Sequence, residues 1–392
     1  MSSCYDPDLL PDSKYLNTEL HGGITRHISI ETVGIGGDLR RITRTQEWKR
    51  VGEIQGEGAY GMVWKEKLVG VKGNENYRAV KMIHKHIGNV SVDFRRELEA
   101  IAKFSQPKFK YHFVESLGWF ETKDIVFVAF EYFERGNLEN YLSNVGKMPE
   151  EEVCMISYQI LQGVDELHDN GFAHCDLKPS NIFIRRTKDH ELGWLVKIGE
   201  FGISMRAEEG MTTLPSFKGT GSTGSFLAPE LLAKRGILLP DADVVTRLLG
   251  KNKEFTFLVD IWAVGHIIYR AVSGKVPFLK DLVAYVNEKA EFPREELKEM
   301  QVSQKGIGVI EQLMKPFPAD RLTAAKALEH PWFEEFRDSS SIWSGSFESV
   351  NSRYEMPTHL IPVADAGAGA GASGGSSSSS AEPWTDLDDT SE

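Results

Sequence analysis

Cysteine is scarce in this 392-residue chain: Cys4, Cys154 and Cys175 are odd in number, widely spaced and form no CxxC pair. That excludes a disulfide framework and a cysteine-built zinc site, and it is the usage of a reducing compartment. Long apolar runs are missing as well. The longest, residues 255–272, is broken by Asp260, His266 and Arg270, so it reads as a buried core helix and not a membrane span. The opening MSSCYDPDLLPDSKYL has neither the basic start nor the apolar core of a secretory leader. A cytoplasmic or nuclear location follows as the expectation. Nor is there a basic surplus. The net charge is −12, and from Glu334 onward eleven acidic residues against two arginines carry −9 of it, leaving the body close to neutral. Neither nucleic acid nor a membrane surface is an expected partner.

What is present divides by pattern. Residues 1–46 read as an extension, partly disordered, in which His27 to Val33 alternates as a short strand with Ile28 and Ile30 on one face. Trp48 to about Lys85 is strand-like with glycine turns. Phe94, Leu98 and Ile101 then recur at helical spacing until Pro107, and Ile125 to Phe130 fits a buried strand. After Gly136 the periodicity becomes helical: Pro149 and three glutamates suit a first turn, followed by Val153, Ile156, Ile160, Val164 and Leu167. The expected fold class is α+β in two lobes, 47–133 small and β-rich and 134–336 mostly helical. Residues 337–392 form an acidic tail with a Gly/Ser-rich spacer.

Several strings carry chemistry. Gly56-Glu57-Gly58-Ala59-Tyr60-Gly61-Met62-Val63 is a GxGxxGxV loop, whose glycines let backbone amides approach phosphates. A strand and not a helix follows it, which argues against a dinucleotide fold; alone, the loop is equally consistent with an ordinary turn. Lys81 ends Arg78-Ala79-Val80-Lys81, and Glu97 lies on the next helix. Glu99 is a rival about 200° around that helix, so only one of the two can face a shared site. His174-Cys175-Asp176-Leu177-Lys178-Pro179-Ser180-Asn181 places a carboxylate, a lysine and an amide within six positions. Glu200-Phe201-Gly202 follows about twenty residues later.

Taken in order, residues 48–336 resemble a eukaryotic protein kinase of the serine/threonine type. The resemblance implies transfer of the ATP γ-phosphate to a Ser/Thr hydroxyl of a protein substrate. Asp176 would act as base, Lys178 would balance charge on the phosphoryl group, and Lys81, held by Glu97, would reach the α- and β-phosphates. Asn181 and Glu200 would bind Mg²⁺, with Mn²⁺ as an alternative. Thr223 would support Asp176, and His174 would be structural. Gly56, Gly58 and Gly61 would cover the phosphates; Val63, Ala79 and Phe183 would enclose adenine, whose polar edge meets the backbone from Glu131 to Phe133. Glu230 of Ala228-Pro229-Glu230 is expected to pair with Arg321, and Asp260 to tie down the catalytic-loop backbone.

Two residues depart from the family pattern. Glu200 stands where an aspartate is usual, and its extra methylene displaces the carboxylate by about 1.5 Å. The expectation is a working but slowed kinase, with a nucleotide-binding pseudokinase as the alternative. Cys175 stands where an arginine usually grips an activation-segment phosphate. The segment 236–255 is an insertion without an assigned role.

Overall fold

The computed structural model describes residues 14–33, 40–58, 61–70, 76–87, 90–92, 94–187, 193–202, 204–206, 213–214, 226–249, 255–278 and 281–338. Its first lobe is built from β1 (Thr18–His21), β2 (Ile24–Val33), β3 (Arg40–Gly58), β4 (Gly61–Leu68), β5 (Tyr77–His84), a small hairpin of β6 (His86–Ile87) and β7 (Val90–Ser91), helix α1 (Phe94–Phe104), β8 (Ser116–Glu121) and β9 (Ile125–Glu131). Among the described residues, seven of these strands form one antiparallel sheet in the order β1-β2-β3-β4-β5-β9-β8.

The boundary expected at residue 46 falls inside β3, and the strand expected at 27–33 is most of β2. Most of the extension's described residues are therefore sheet. As expected, Ile28 and Ile30 share one face of β2; the opposite face is the buried one. Thr25 and His27 face inward and are buried, while Ile30 is 70% exposed. Ahead of β1 the chain also reaches the opposite edge: Leu16 N–H donates to Trp119 O at 2.7 Å, and Trp119 N–H donates to Lys14 O at 3.1 Å. Tyr15 bridges Trp119 in parallel register, so the two edges of the sheet meet. Gly118 permits this. A Cβ there would lie 2.7 Å from Lys14 O, and its φ of 127° disfavours other residues.

The outer face of the sheet encloses a second core of Val80, Met82, Phe120, Phe127 and Ala129, with Leu16 and Leu20 of the extension packed on it. Beside it lies a buried polar network. Glu66 accepts from Arg78 Nε (2.8 Å), Thr25 Oγ1 (2.9 Å) and Trp64 Nε1 (3.1 Å). Arg78 Nη2 sits 2.6 Å from the same carboxylate, at an angle unsuited to a hydrogen bond. Arg78 Nη1 meets His27 Nε2 at 2.7 Å, and Trp48 covers the guanidinium at 4.3 Å. Because Thr18 Oγ1 gives its proton to Leu16 O, it accepts from His27 Nδ1–H, and Nε2 is left as the acceptor for Arg78. Burial first, and the Arg78 charge second, push the His27 pKa down to about 3.

The second lobe contains α2 (Leu138–Val145), α3 (Glu150–Asp169), β10 (Phe172–Ala173), β11 (Ile182–Arg186), β12 (Trp194–Ile198), β13 (Met205–Arg206), β14 (Thr213–Leu214), α4 (Pro229–Lys234), α5 (Ala242–Leu249), β15 (Phe255–Thr256), α6 (Leu258–Ser273), α7 (Leu282–Val286), α8 (Arg294–Glu299), α9 (Gln304–Leu313), α10 (Ala324–Leu328) and α11 (Glu334–Asp338). Local rules place their ends. Proline precedes α3 and glutamates fill its first turn, where free N–H groups favour negative charge. Gly274 ends α6 in the left-handed conformation, its N–H on Arg270 O. Ser303 and Thr323 cap α9 and α10. Helix α6 is apolar almost all round and buried, as expected of 255–272, and packs against α3 and α9. The expected insertion contains α5, which buries Val244, Leu248 and Leu249 against α4.

Candidate active site

The two strands of the glycine loop are in register through Gly56↔Val63 and Gly58↔Gly61. Gly61 runs so close to β5 that a Cβ would meet Met82 O at 1.7 Å. Along β5 the faces alternate: Arg78, Val80 and Met82 serve the outer core, and Ala79 and Lys81 face the other way. Val63 pairs with Lys81 and Ala79 with Phe130, which sets both enclosing residues on the sheet above the cleft. Phe183, expected below adenine, stands on β11, bridging Asn137, with its ring 5.6 Å from that of Phe133.

Past β9 the chain crosses between the lobes. Glu131 N–H is used by Glu115 O at 3.0 Å. Its carboxylate is buried against Lys197, with Arg185 at 3.5 Å and Glu115 N–H at 2.9 Å. The Glu131 side chain is thus shared between the lobes, held by Lys197 and Arg185 of the second and by Glu115 N–H of the first. Phe133 N–H donates to no group among the described residues.

Lys81 makes the central contact. Its Nζ touches Glu97 Oε1 and donates to Glu200 Oε2 at 2.7 Å. Three residues from β5, α1 and the 199–202 turn therefore meet at one atom. Burial alone would lower the Lys81 pKa; the Glu200 and Glu97 charges outweigh it and hold the ammonium well above its usual range. Burial opposes the Glu200 carboxylate too, but Lys81, backed by His174 and Lys178, keeps it below the ordinary carboxylate value. Two carboxylates share one cation, so this corner carries an uncompensated negative charge. Glu200 adopts φ 65°, a left-handed conformation that costs a non-glycine residue about 1–2 kcal/mol and that clusters at functional sites. Cys175 does the same at φ 62°.

The catalytic-loop residues are tied to one another. Lys178 Nζ donates to Asp176 Oδ2 at 3.0 Å. Asn181 Nδ2 donates to Asp176 O at 2.7 Å and to Oδ2 at 3.1 Å. Those two acceptors fix the amide orientation, so Asn181 Oδ1 has no partner among the described residues. His174 is fully buried; it accepts Asp176 N–H at Nδ1 and donates from Nε2 to Gly199 O at 2.9 Å. This holds the loop against the 199–202 turn. Asp260 on α6 accepts the backbone N–H groups of His174 and Cys175, each at 2.8 Å. Glu230 and Arg321 pair as expected, at 2.7 and 2.8 Å with both side chains almost fully buried. Thr223 lies outside the described residues.

Phe201 packs on Phe104 of α1 (5.6 Å, stacked), Phe113 (5.8 Å) and His174 (5.6 Å), joining the helix to the catalytic loop through aromatic contact.

A family profile for the protein kinase domain matches residues 49–333. The chain belongs to the protein kinase domain family. Serine/threonine-protein kinase RAD53 of Saccharomyces cerevisiae is 30% identical over 294 residues, covering 74% of this chain and 33% of that protein. Serine/threonine-protein kinase cds1 of Schizosaccharomyces pombe is 29% identical over 288 residues, covering 71% and 56%. The chain thus spans from a third to somewhat over half of these relatives. A crystal structure of the Rad53 kinase domain and SCD2 in complex with AMPPNP matches this kinase domain with a TM-score of 0.51 at 25% identity, covering 73% of this chain and 89% of that one. The α+β bilobal kinase fold read from the motifs is thereby shown. Among the described residues, no helix is long and apolar enough to cross a membrane.

Sequence reasoning missed two contacts near the site and one network on the outer face of the sheet. The Glu131–Lys197 contact, the Glu66–Arg78–His27 network and the Arg206–Glu99 ion pair at 3.1 Å all join residues distant in the chain. Glu99 does turn away from Lys81, as the helical angle required, yet it is buried and not a surface carboxylate.

Proposed function

We propose that this chain is an ATP-dependent serine/threonine protein kinase acting on protein substrates. The observation that carries the reading is the convergence of Lys81, Glu97 and Glu200 beside the linked triad Asp176, Lys178 and Asn181. Asp176, partly exposed and held by two donors, accepts the substrate hydroxyl proton as the oxygen attacks the γ-phosphorus. Lys178, already on Asp176, sits where charge develops on the phosphoryl group, and Lys81 neutralises the α- and β-phosphates. The free Phe133 N–H is the hydrogen-bond donor for the adenine edge.

The residues present fit a hard divalent cation. Glu200 Oε1 and Asn181 Oδ1 are oxygen donors without partners among the described residues, and the corner has negative charge to spare. No cluster of three His, Cys, Asp or Glu able to hold a metal occurs among the described residues, which suits Mg²⁺ completed by nucleotide phosphates and water. When bound, the cation would neutralise charge between the β- and γ-phosphates. Glu200 would offer it Oε1, because Lys81 holds Oε2. That observation favours slow transfer, and in the limit the pseudokinase reading.

Radiolabelled phosphate transfer with Mg²⁺ and with Mn²⁺ tests this. Transfer by the parent, its loss in Asp176→Asn and a faster Glu200→Asp are the expected results. A silent parent with an active Glu200→Asp would establish the pseudokinase.

A further inference from the structure

We infer that Glu99 and Arg206 are positioning residues: together they hold α1 inward, so that Glu97 reaches Lys81 without a phosphate on the activation segment. The inference rests on the proposed kinase reading and concerns how its site is kept assembled.

The Lys81–Glu97 contact exists only while α1 is seated, because Glu97 belongs to the helix and Lys81 to the sheet. Something outside the nucleotide site has to fix the helix against the second lobe. A phosphorylated segment would do so through a cation at position 175, and here that position is a cysteine. Cys175 is buried, its thiol directed at Ala173 O (3.8 Å), and burial together with Asp260 and Asp176 keeps it a neutral thiol. Met205, at the start of the segment, is buried as well. Two apolar side chains cannot receive a dianion.

The link is made one residue further on. Arg206 lies on β13, which pairs with β10 through Phe172↔Arg206 and Ala173↔Met205, immediately before the catalytic loop. Its guanidinium donates to Glu99 Oε1 at 3.1 Å and passes over the Phe172 ring at 5.9 Å. The Glu99 carboxylate is 4% exposed although it sits on a helix that could turn outward. A carboxylate removed from water is costly to unpair, so leaving the inward position would break its contact with Arg206 or drag Arg206 off β13. Glu97 and Glu99 thereby tie one helix to both lobes: Glu97 to the sheet, Glu99 to the strand beneath the catalytic loop.

The test is a double-mutant cycle on the full chain with Glu99→Gln, Arg206→Gln and the pair, beside the exchange Glu99→Arg with Arg206→Glu. Phosphate transfer and AMPPNP affinity are read together, with the melting temperature as a check on folding. Each single variant is expected to lower kcat at least tenfold and to weaken AMPPNP several-fold. The double should be no worse than either single, and the exchange should regain part of the loss. Phosphatase treatment of the parent should leave its activity unchanged. Folded single variants with parental kcat and affinity, losses that multiply in the double, or a parent silenced by phosphatase would each overturn the inference. If the parent binds AMPPNP but transfers nothing, the kinase reading fails alone, and the cycle on AMPPNP affinity still decides the latch. A parent that binds no AMPPNP overturns both.

Discussion

Replacing Arg78 by methionine isolates the cost of a desolvated charge in the first lobe. The native carboxylate of Glu66 is 2% exposed and receives Arg78, Thr25 and Trp64. Methionine fills much of the volume but leaves Glu66 with two neutral donors and His27 Nε2 with none. Removing one partner of a buried ion pair costs about 3–5 kcal/mol. The stranded carboxylate has an escape, however: it can take a proton. At pH 7 protonation of a glutamate costs about 3.5 kcal/mol, at 1.36 kcal/mol per pH unit, and at pH 5 it costs about 1. The Arg78→Met penalty should therefore fall by roughly 2–3 kcal/mol between pH 7 and pH 5. His27, relieved of the Arg78 charge, titrates more easily and shifts the balance the same way. Adding Glu66→Gln removes the charge while keeping an acceptor for Thr25 and Trp64, and should recover at least half of the loss at pH 7. Urea unfolding followed by the fluorescence of Trp48 and Trp64 reads all of this. A penalty under about 1 kcal/mol at pH 7, one independent of pH, or a double variant as weak as the single would refute the reasoning.

Other outcomes follow from the same geometry. The pKa values of His27, His112 and His266 are pushed down to about 3, 4 and 3, chiefly by burial. They stabilise the fold above pH 6.5 and lose that contribution as pH falls toward 3–4, so at pH 5.5 together they should cost about 4 kcal/mol in urea titrations. Alanine at Thr212, Thr213, Ser216 and Thr220 together should leave phosphate transfer within about threefold of the parent, since Cys175 offers no cation to a phosphate there. Gly118→Ala, strained at its φ and blocked by Lys14 O, should release residues 14–16 from β8 and raise proteolysis near residue 15. In a peptide library no strong preference for arginine before the target residue is expected, because Asn137 and Ser180 are uncharged where an acid would attract one.

The parts legible in the sequence were those whose chemistry demands particular residue types at close spacing. The 174–181 string, the glycine loop, Lys81 with a helical glutamate, and Asp260 on an apolar helix each left a local signature. The extension did not, because the residues that β2 turns inward are polar. Thr18, Thr25 and His27 are satisfied by partners on other strands, while Ile30 faces solvent. The alternation located the strand but did not say which of its faces is buried. Arg206 and Glu99 lie 107 residues apart and Glu131 and Lys197 lie 66 apart, distances at which no periodicity carries information. Glu200 could be flagged from its neighbours, but that its carboxylate would lean on Lys81 required coordinates.

The meeting of residues 14–16 with β8 has a practical corollary. Trimming the polypeptide to the segment 49–333 matched by the family profile would cut through β3, remove both added strands and bare the unpaired backbone of Trp119. Exposed strand margins recruit other copies. The shortened molecule should clump on expression, whereas one starting ahead of Lys14 should remain dispersed.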